Sequence, residues 1–241
     1  MNIDLKAPAN WRQLTLEQLH DVAQTFAMHL SKEEMLMVLM CRLTDIRVNF
    51  DRYTRDGVML MTYQGKRYRV TDQELSDLCG RFEWLFEEQP CDIVNPTAVD
   101  GHLMAVKFGD WFLADAILYE LAKERAEDRF DTEKMAKALK LLGDTRGVIR
   151  IDPTEYDMVM LWWNGVGNML RTLYPYVFSG DGKPKADYSP FKNLQNIHLM
   201  LNGGRPQDNE AIDQCDLHDV LSSLNAKIEE AERIRKEMKK R

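Results

Sequence analysis

The chain has 241 residues, 44% of them hydrophobic and 29% charged, with a formal net charge of −7. That is enough apolar material for one large domain or two small ones, and too ordinary a composition for a fibrous or disordered chain. The acidic balance argues against nucleic acid as a partner.

In chain order, the opening 1–11 has no basic region followed by an apolar one, so no secretion signal is expected. Thr15 with Gln18, Ser31 with Glu34 and Thr71 with Glu74 match the capping box, in which the hydroxyl accepts from the third helical amide and the third side chain reaches back. They predict helices over 15–29, 32–43 and 72–88. Residues 58–63 and 67–70 flank Gln64-Gly65-Lys66 and predict a β-hairpin. An isolated hairpin is marginal in water, so this one must pack on helices or extend a partner's sheet. Lys66-Arg67-Tyr68-Arg69 reads as an edge strand guarded by charge.

Residues 89–101, with two prolines and a glycine, predict a linker. Helices follow over 110–127, 132–142, 153–173, 190–202 and 217–239, with loops at 179–190 and 203–216. Asp152-Pro153, Ser189-Pro190 and Asp216 are their start signals, and Gly143 and Gly203 sit where a left-handed residue ends a helix. The fold expected is mainly α, an irregular helical domain of about eight helices with one small β-hairpin. It divides into an N-terminal helical region with the hairpin, 1–90, and a C-terminal helical region, 91–241, or forms one continuous domain.

The stretch 158–178, MVMLWWNGVGNMLRTLYPYVF, carries one formal charge, Arg171. A membrane-spanning helix needs about 20 mostly apolar residues. The uncharged run here is shorter and includes Asn164, Gly165, Gly167 and Asn168, so a buried helix is predicted and no membrane partner. Gly165-Val166-Gly167 lies inside the helical pattern with no strand before it. Close helix packing explains it better than a phosphate loop. Trp162, Trp163, Tyr174, Tyr176 and Phe178 are candidates for contact with a partner protein. So are Met35, Met37 and Met40, because fourteen methionines is a high count and methionine suits surfaces that accept varied apolar partners. The competing expectation is that they fill the core.

Reactive motifs are absent: there is no G-x-S-x-G, Walker loop, H-E-x-x-H or G-x-G-x-x-G. Cys41, Cys79, Cys91 and Cys215 form no C-x-x-C pair, which predicts reduced thiols in a cytoplasmic protein. Asp92 and Asp216 follow Cys91 and Cys215, and a neighbouring carboxylate raises a thiol pKa, the wrong direction for a nucleophile. His20, His29, His102, His198 and His218 make no metal-type pair, and Glu83, Glu87 and Glu88 read as a solvated helix face. No catalytic residue, cofactor or metal is expected. An enzyme would need titratable groups converging on a pocket, for instance around His102, His198 or His218.

The last predicted helix has an apolar seam, Leu217, Leu221, Leu224, Ile228, Ala231 and Met238, that should pack on the body as far as 228. Beyond it charge dominates. Residues 233–241 hold six basic residues and one acid, so the +5 tail leaves −12 on the rest.

Three stretches, 10–26 (NWRQLTLEQLHDVAQTF), 161–179 (LWWNGVGNMLRTLYPYVFS) and 189–230 (SPFKNLQNIHLMLNGG through NAKIEE), resemble uncharacterised proteins encoded in the tail-assembly regions of tailed phages and prophage-like elements. The resemblance covers roughly the first 45 and last 90 residues. It implies a non-enzymatic assembly role in the host cytoplasm, such as a tail-assembly chaperone that holds the helical tape-measure protein soluble. The partner would then be a protein client. A structural virion component or adaptor forming a homo-oligomer through the last helix is the alternative, and a small enzyme of unrecognised type is another.

Overall fold

The computed structural model describes residues 5–28, 30–49, 58–87, 91–178 and 190–239. All but the last residue of the predicted loop over 179–190 lies outside them, as do His29, Glu88 and the Ser189 start signal. Among the described residues there are nine α-helices and one three-stranded antiparallel sheet. The mainly α class expected from the sequence is what the chain forms.

All three capping boxes close. Thr15 accepts from the Gln18 amide at 3.2 Å while Gln18 accepts from the Thr15 amide at 3.0 Å, opening α1 (Leu16–Phe26). Ser31 with Glu34 opens α2 (Lys32–Leu43), and Thr71 with Glu74 opens α3 (Asp72–Gly80). Each box satisfies two amides that the first turn leaves without helical partners. Strands β1 (Arg47–Asn49), β2 (Val58–Tyr63) and β3 (Lys66–Thr71) form the sheet in that order. Gln64 and Gly65 turn the hairpin with φ of 48° and 74°, the two left-handed residues that match strand twist in a two-residue turn. Strand β1 is an addition to the predicted hairpin; three residues are too few to show an alternating pattern. Met59, Met61, Tyr63 and Val70 point inward onto the helices, so the hairpin is supported from within the chain. Strand β3 is an edge, with Lys66, Arg67 and Arg69 exposed along it.

The helix predicted over 72–88 stops at Gly80 instead. A single 3-10 turn, Glu83–Phe86, follows, and it lets Phe82 and Leu85 enter the core. The predicted linker 89–101 is not free either. Cys91, Val94 and Val99 are buried, as are Leu103 and Val106 after it.

Helix α4 (Phe108–Ala126) starts two residues before the predicted position and has no capping side chain. Its start is held from a distance: Phe108 N donates to Cys215 O and Leu217 N donates to Val106 O, both at 2.9 Å. Asp216, expected to cap the last helix, instead meets Lys107 Nζ at 2.7 Å. Helix α5 (Thr132–Leu141) ends as Gly143 predicts, with φ of 92°. Gly143 N donates to Lys140 O and Asp144 N to Leu139 O, which closes the last carbonyls in a Schellman motif. Helix α6 (Pro153–Leu173) starts at Asp152, whose carboxylate accepts from Thr154 N at 2.8 Å. Helices α7 (Pro190–Asn202), α8 (Asn209–Asp213) and α9 (Leu217–Met238) complete the chain. The short α8 lies in the predicted 203–216 loop, five residues long and too short to carry a helical period.

Two apolar cores result. The first takes Trp11, Val22, Leu39, Met40, Met61 and Phe82 among others; the second takes Phe108, Leu118, Leu139, Trp162 and Leu217 among others. Helix α6 belongs to both. Met158 and Leu161 enter the first core, while Tyr156, Val159, Trp162 and Val166 enter the second. Full burial of a Met or Leu side chain contributes about 1.5–3 kcal/mol, so the two α6 side chains alone couple the regions appreciably. Among the described residues, no helix is long and apolar enough to cross a membrane.

Candidate functional site

Helices α4 and α6 each carry a second stripe besides the one that enters the core. On α4, Phe112, Asp115 and Tyr119 recur at three- and four-residue steps and share a face. On α6, Met160, Asn164, Gly167 and Arg171 do the same, with Trp163 beside them. These two faces wall a groove of about 570 Å³, closed on other sides by Ile197 and Met200 of α7, Leu224 and Ile228 of α9, and Val177 and Phe178. The size is that of an ordinary binding cleft. Gly167 leaves part of the floor bare. A Cβ there would meet only the end of the Arg171 side chain, Nη1 at 3.8 Å and Nη2 at 4.0 Å. The close helix packing expected at Gly167 is therefore not what this glycine does.

One carboxyl stands in the groove wall among the described residues. Trp163 Nε1 donates to Asp115 Oδ1 at 3.2 Å, joining α6 to α4. The surrounding apolar side chains strip water from the Asp115 carboxyl and push its pKa up to about 6, against the pull of the Trp163 bond and the Arg171 charge. Among the described residues no group donates to its second oxygen. Arg171 sits at the exposed rim, its Nη1 bonded to Asn168 at 2.8 Å. The amides of Asn164, Asn193 and Asn196 also line the groove. An apolar cleft with one desolvated carboxyl and a few amides can orient a ligand that is mostly apolar and carries a hydrogen-bond donor.

Of the residues singled out from the sequence, Trp163 and Phe178 belong to this groove. Trp162 does not: it is fully buried in the second core, with its indole N–H unpaired. Met40 is fully buried in the first core, so neither residue offers a surface. Met35 and Met37 are half-buried on α2; Met37 lines a separate cleft with Met59 and Cys79, remote from the groove.

The 174–178 end of the 158–178 stretch, expected to face a partner, is bonded to α9. The Tyr174 hydroxyl lies 2.6 Å from His218 Nδ1, and His218 Nε2 lies 2.7 Å from the His102 carbonyl. A carbonyl only accepts, so Nε2 carries the hydrogen, and in the neutral ring Nδ1 accepts from Tyr174. The Tyr176 amide donates to Asn225 Oδ1 at 2.9 Å, and its hydroxyl pKa is raised, chiefly by the charge of Glu229. His198 is also structural: Nε2 meets Asp213 Oδ1 at 2.8 Å and ties α7 to α8. None of His102, His198 and His218 lines the groove.

Phe112, Asp115, Asn193 and Ile197 were not singled out by the sequence reading. The signal for α4 was an aspartate inside an apolar helix, with hydrophobic residues on more than one face. No family model, curated protein or solved structure matches the chain.

Proposed function

We propose that this chain is a non-enzymatic binding protein that holds an apolar helical segment of a partner protein in the groove between α4, α6, α7 and α9. The observation that carries the reading is the groove itself, a cleft of about 570 Å³ walled by Phe112, Met160, Trp163, Phe178, Ile197 and Met200. Aromatic and methionine walls set between helices suit the helix-in-groove mode, in which anchors recur at three- and four-residue steps. In the setting implied by the sequence resemblance, the client is a tape-measure-type protein and this chain its tail-assembly chaperone in the host cytoplasm.

Co-expression tests it. A tape-measure-type helical protein should be recovered in soluble complex with the wild-type chain and should precipitate with Gly167→Leu, which fills the groove. Equal recovery with both would sink the proposal.

A further inference from the structure

Among the described residues Asp115 and Arg171 are the charged groups lining the groove, and the carboxylate narrows the occupant. The Asp115 side chain is half-buried among apolar groups, its Oδ1 is taken by Trp163, and its second oxygen has no donor among the described residues. A desolvated carboxylate costs free energy until a donor or a cation meets it. Arg171 is near enough for its charge to act on Asp115 but makes no ion pair with it; its Nη1 is bonded to Asn168 and its side chain is exposed. Among the described residues, Arg171 and Tyr119 are the other titratable groups lining the groove, and α7 and α9 contribute amides and apolar side chains.

The volume also speaks. A helix is about 10–12 Å across, so about 570 Å³ holds only about one turn of it. The groove therefore takes the side chains of one helix face and not the whole cylinder. Resting on the reading that the groove holds a partner helix, the geometry points to a segment whose apolar face is interrupted by a single lysine or arginine. Its cation sits on Asp115 and its apolar neighbours lie against Phe112, Trp163 and Phe178. The methylene stem of such a residue packs on the aromatic walls while its head reaches the carboxylate. The net charge of −7 draws a basic segment in.

Three fluorescein-labelled peptides of one alanine-rich helical sequence test this. They carry leucine at positions i and i+7, and lysine, norleucine or glutamate at i+3. Binding to the full chain is followed by anisotropy. At pH 8 the lysine peptide should bind the wild type at least about tenfold tighter than the norleucine peptide, and the glutamate peptide weakest. The lysine advantage should vanish in Asp115→Asn, whose amide oxygen still accepts from Trp163. It should also fade as pH falls below about 6, where Asp115 takes up a proton. Norleucine binding as tight as lysine overturns the basic anchor, and leaves the groove reading intact if Gly167→Leu abolishes both. Binding by no peptide, or binding untouched by Gly167→Leu, overturns the groove reading and this inference with it.

Discussion

Arg125 grips Asp157 with two bonds, Nε to Oδ1 at 2.8 Å and Nη2 to Oδ2 at 3.2 Å, and so ties α4 to α6 beside the groove. The Arg125 guanidinium also lies 4.4 Å over the Phe130 ring and bonds Asp128. Asp157 is almost wholly buried. Removing one partner of such a pair strands the other charge away from water, whereas removing both leaves apolar packing. Asp157→Ala is expected to lose about 3 kcal/mol in urea unfolding. The double variant Arg125→Met with Asp157→Leu should recover most of that loss. Equal losses in the two would show that the pair acts only as packing.

Asp115 makes stability depend on pH in the unusual direction. In the unfolded chain it titrates near its ordinary 3.8, and in the fold near 6. Between those values the native state holds more protons, so the Asp115 contribution is present at low pH and lost as pH rises through 6. At about 1.4 kcal/mol per pH unit, the two-unit gap amounts to about 3 kcal/mol. Asp115→Asn should therefore be more stable than wild type at pH 7, by 1 to 3 kcal/mol on the order of that gap. At pH 4 it should match wild type. Urea midpoints at the two pH values check this, and an Asn variant weaker at pH 7 would contradict it.

Gly109 and Gly167 should respond oppositely to alanine. At Gly109 a Cβ would come within 2.9 Å of the Asp213 Cβ and 3.2 Å of its carbonyl oxygen. Helix α8 would have to move, disturbing the His198–Asp213 contact, at about 1–3 kcal/mol. At Gly167 the space is open, so alanine gains the helix preference that glycine lacks, about 0.5–1 kcal/mol. Thermal melts of the two single variants, one falling and one rising, are the expected pattern.

The thiols should separate by burial. Desolvation pushes Cys79 up to about 11 and also raises Cys41 and Cys91, while Cys215 is exposed. With a disulfide-exchange reagent at pH 8, one thiol should react fast and the others only on unfolding. Cys215→Ser should erase the fast phase; a fast phase that survives would refute the assignment.

The local rules written in the chain were legible because they act over a few residues. Thr15, Ser31, Thr71 and Asp152 cap helices as their spacing predicts, and Gln64-Gly65 turns the hairpin. Helix α9 packs as its seam predicts: Leu217, Leu221 and Leu224 are buried, Ile228 reaches the groove, and Ile234 and Met238 are exposed. Where a start is held by distant backbone, as at Phe108 with Cys215, no local signal exists and the predicted boundary slips.

The site was barely legible. Periodicity says which residues share a helix face, but not whether that face meets a core, a neighbour or open space. Trp162 and Trp163 are adjacent and chemically identical, yet one is sealed in the second core and the other bonds Asp115 across a groove. The 100° step between successive helical residues separates them, and only the placement of α4, α7 and α9 decides what each side receives. Asp115 shows the same limit. Its charge and helical position were set by the sequence, but its raised pKa comes from water excluded by side chains on neighbouring helices. The elements of this protein were determined by short-range geometry; the groove and its one desolvated carboxyl arise from long-range packing.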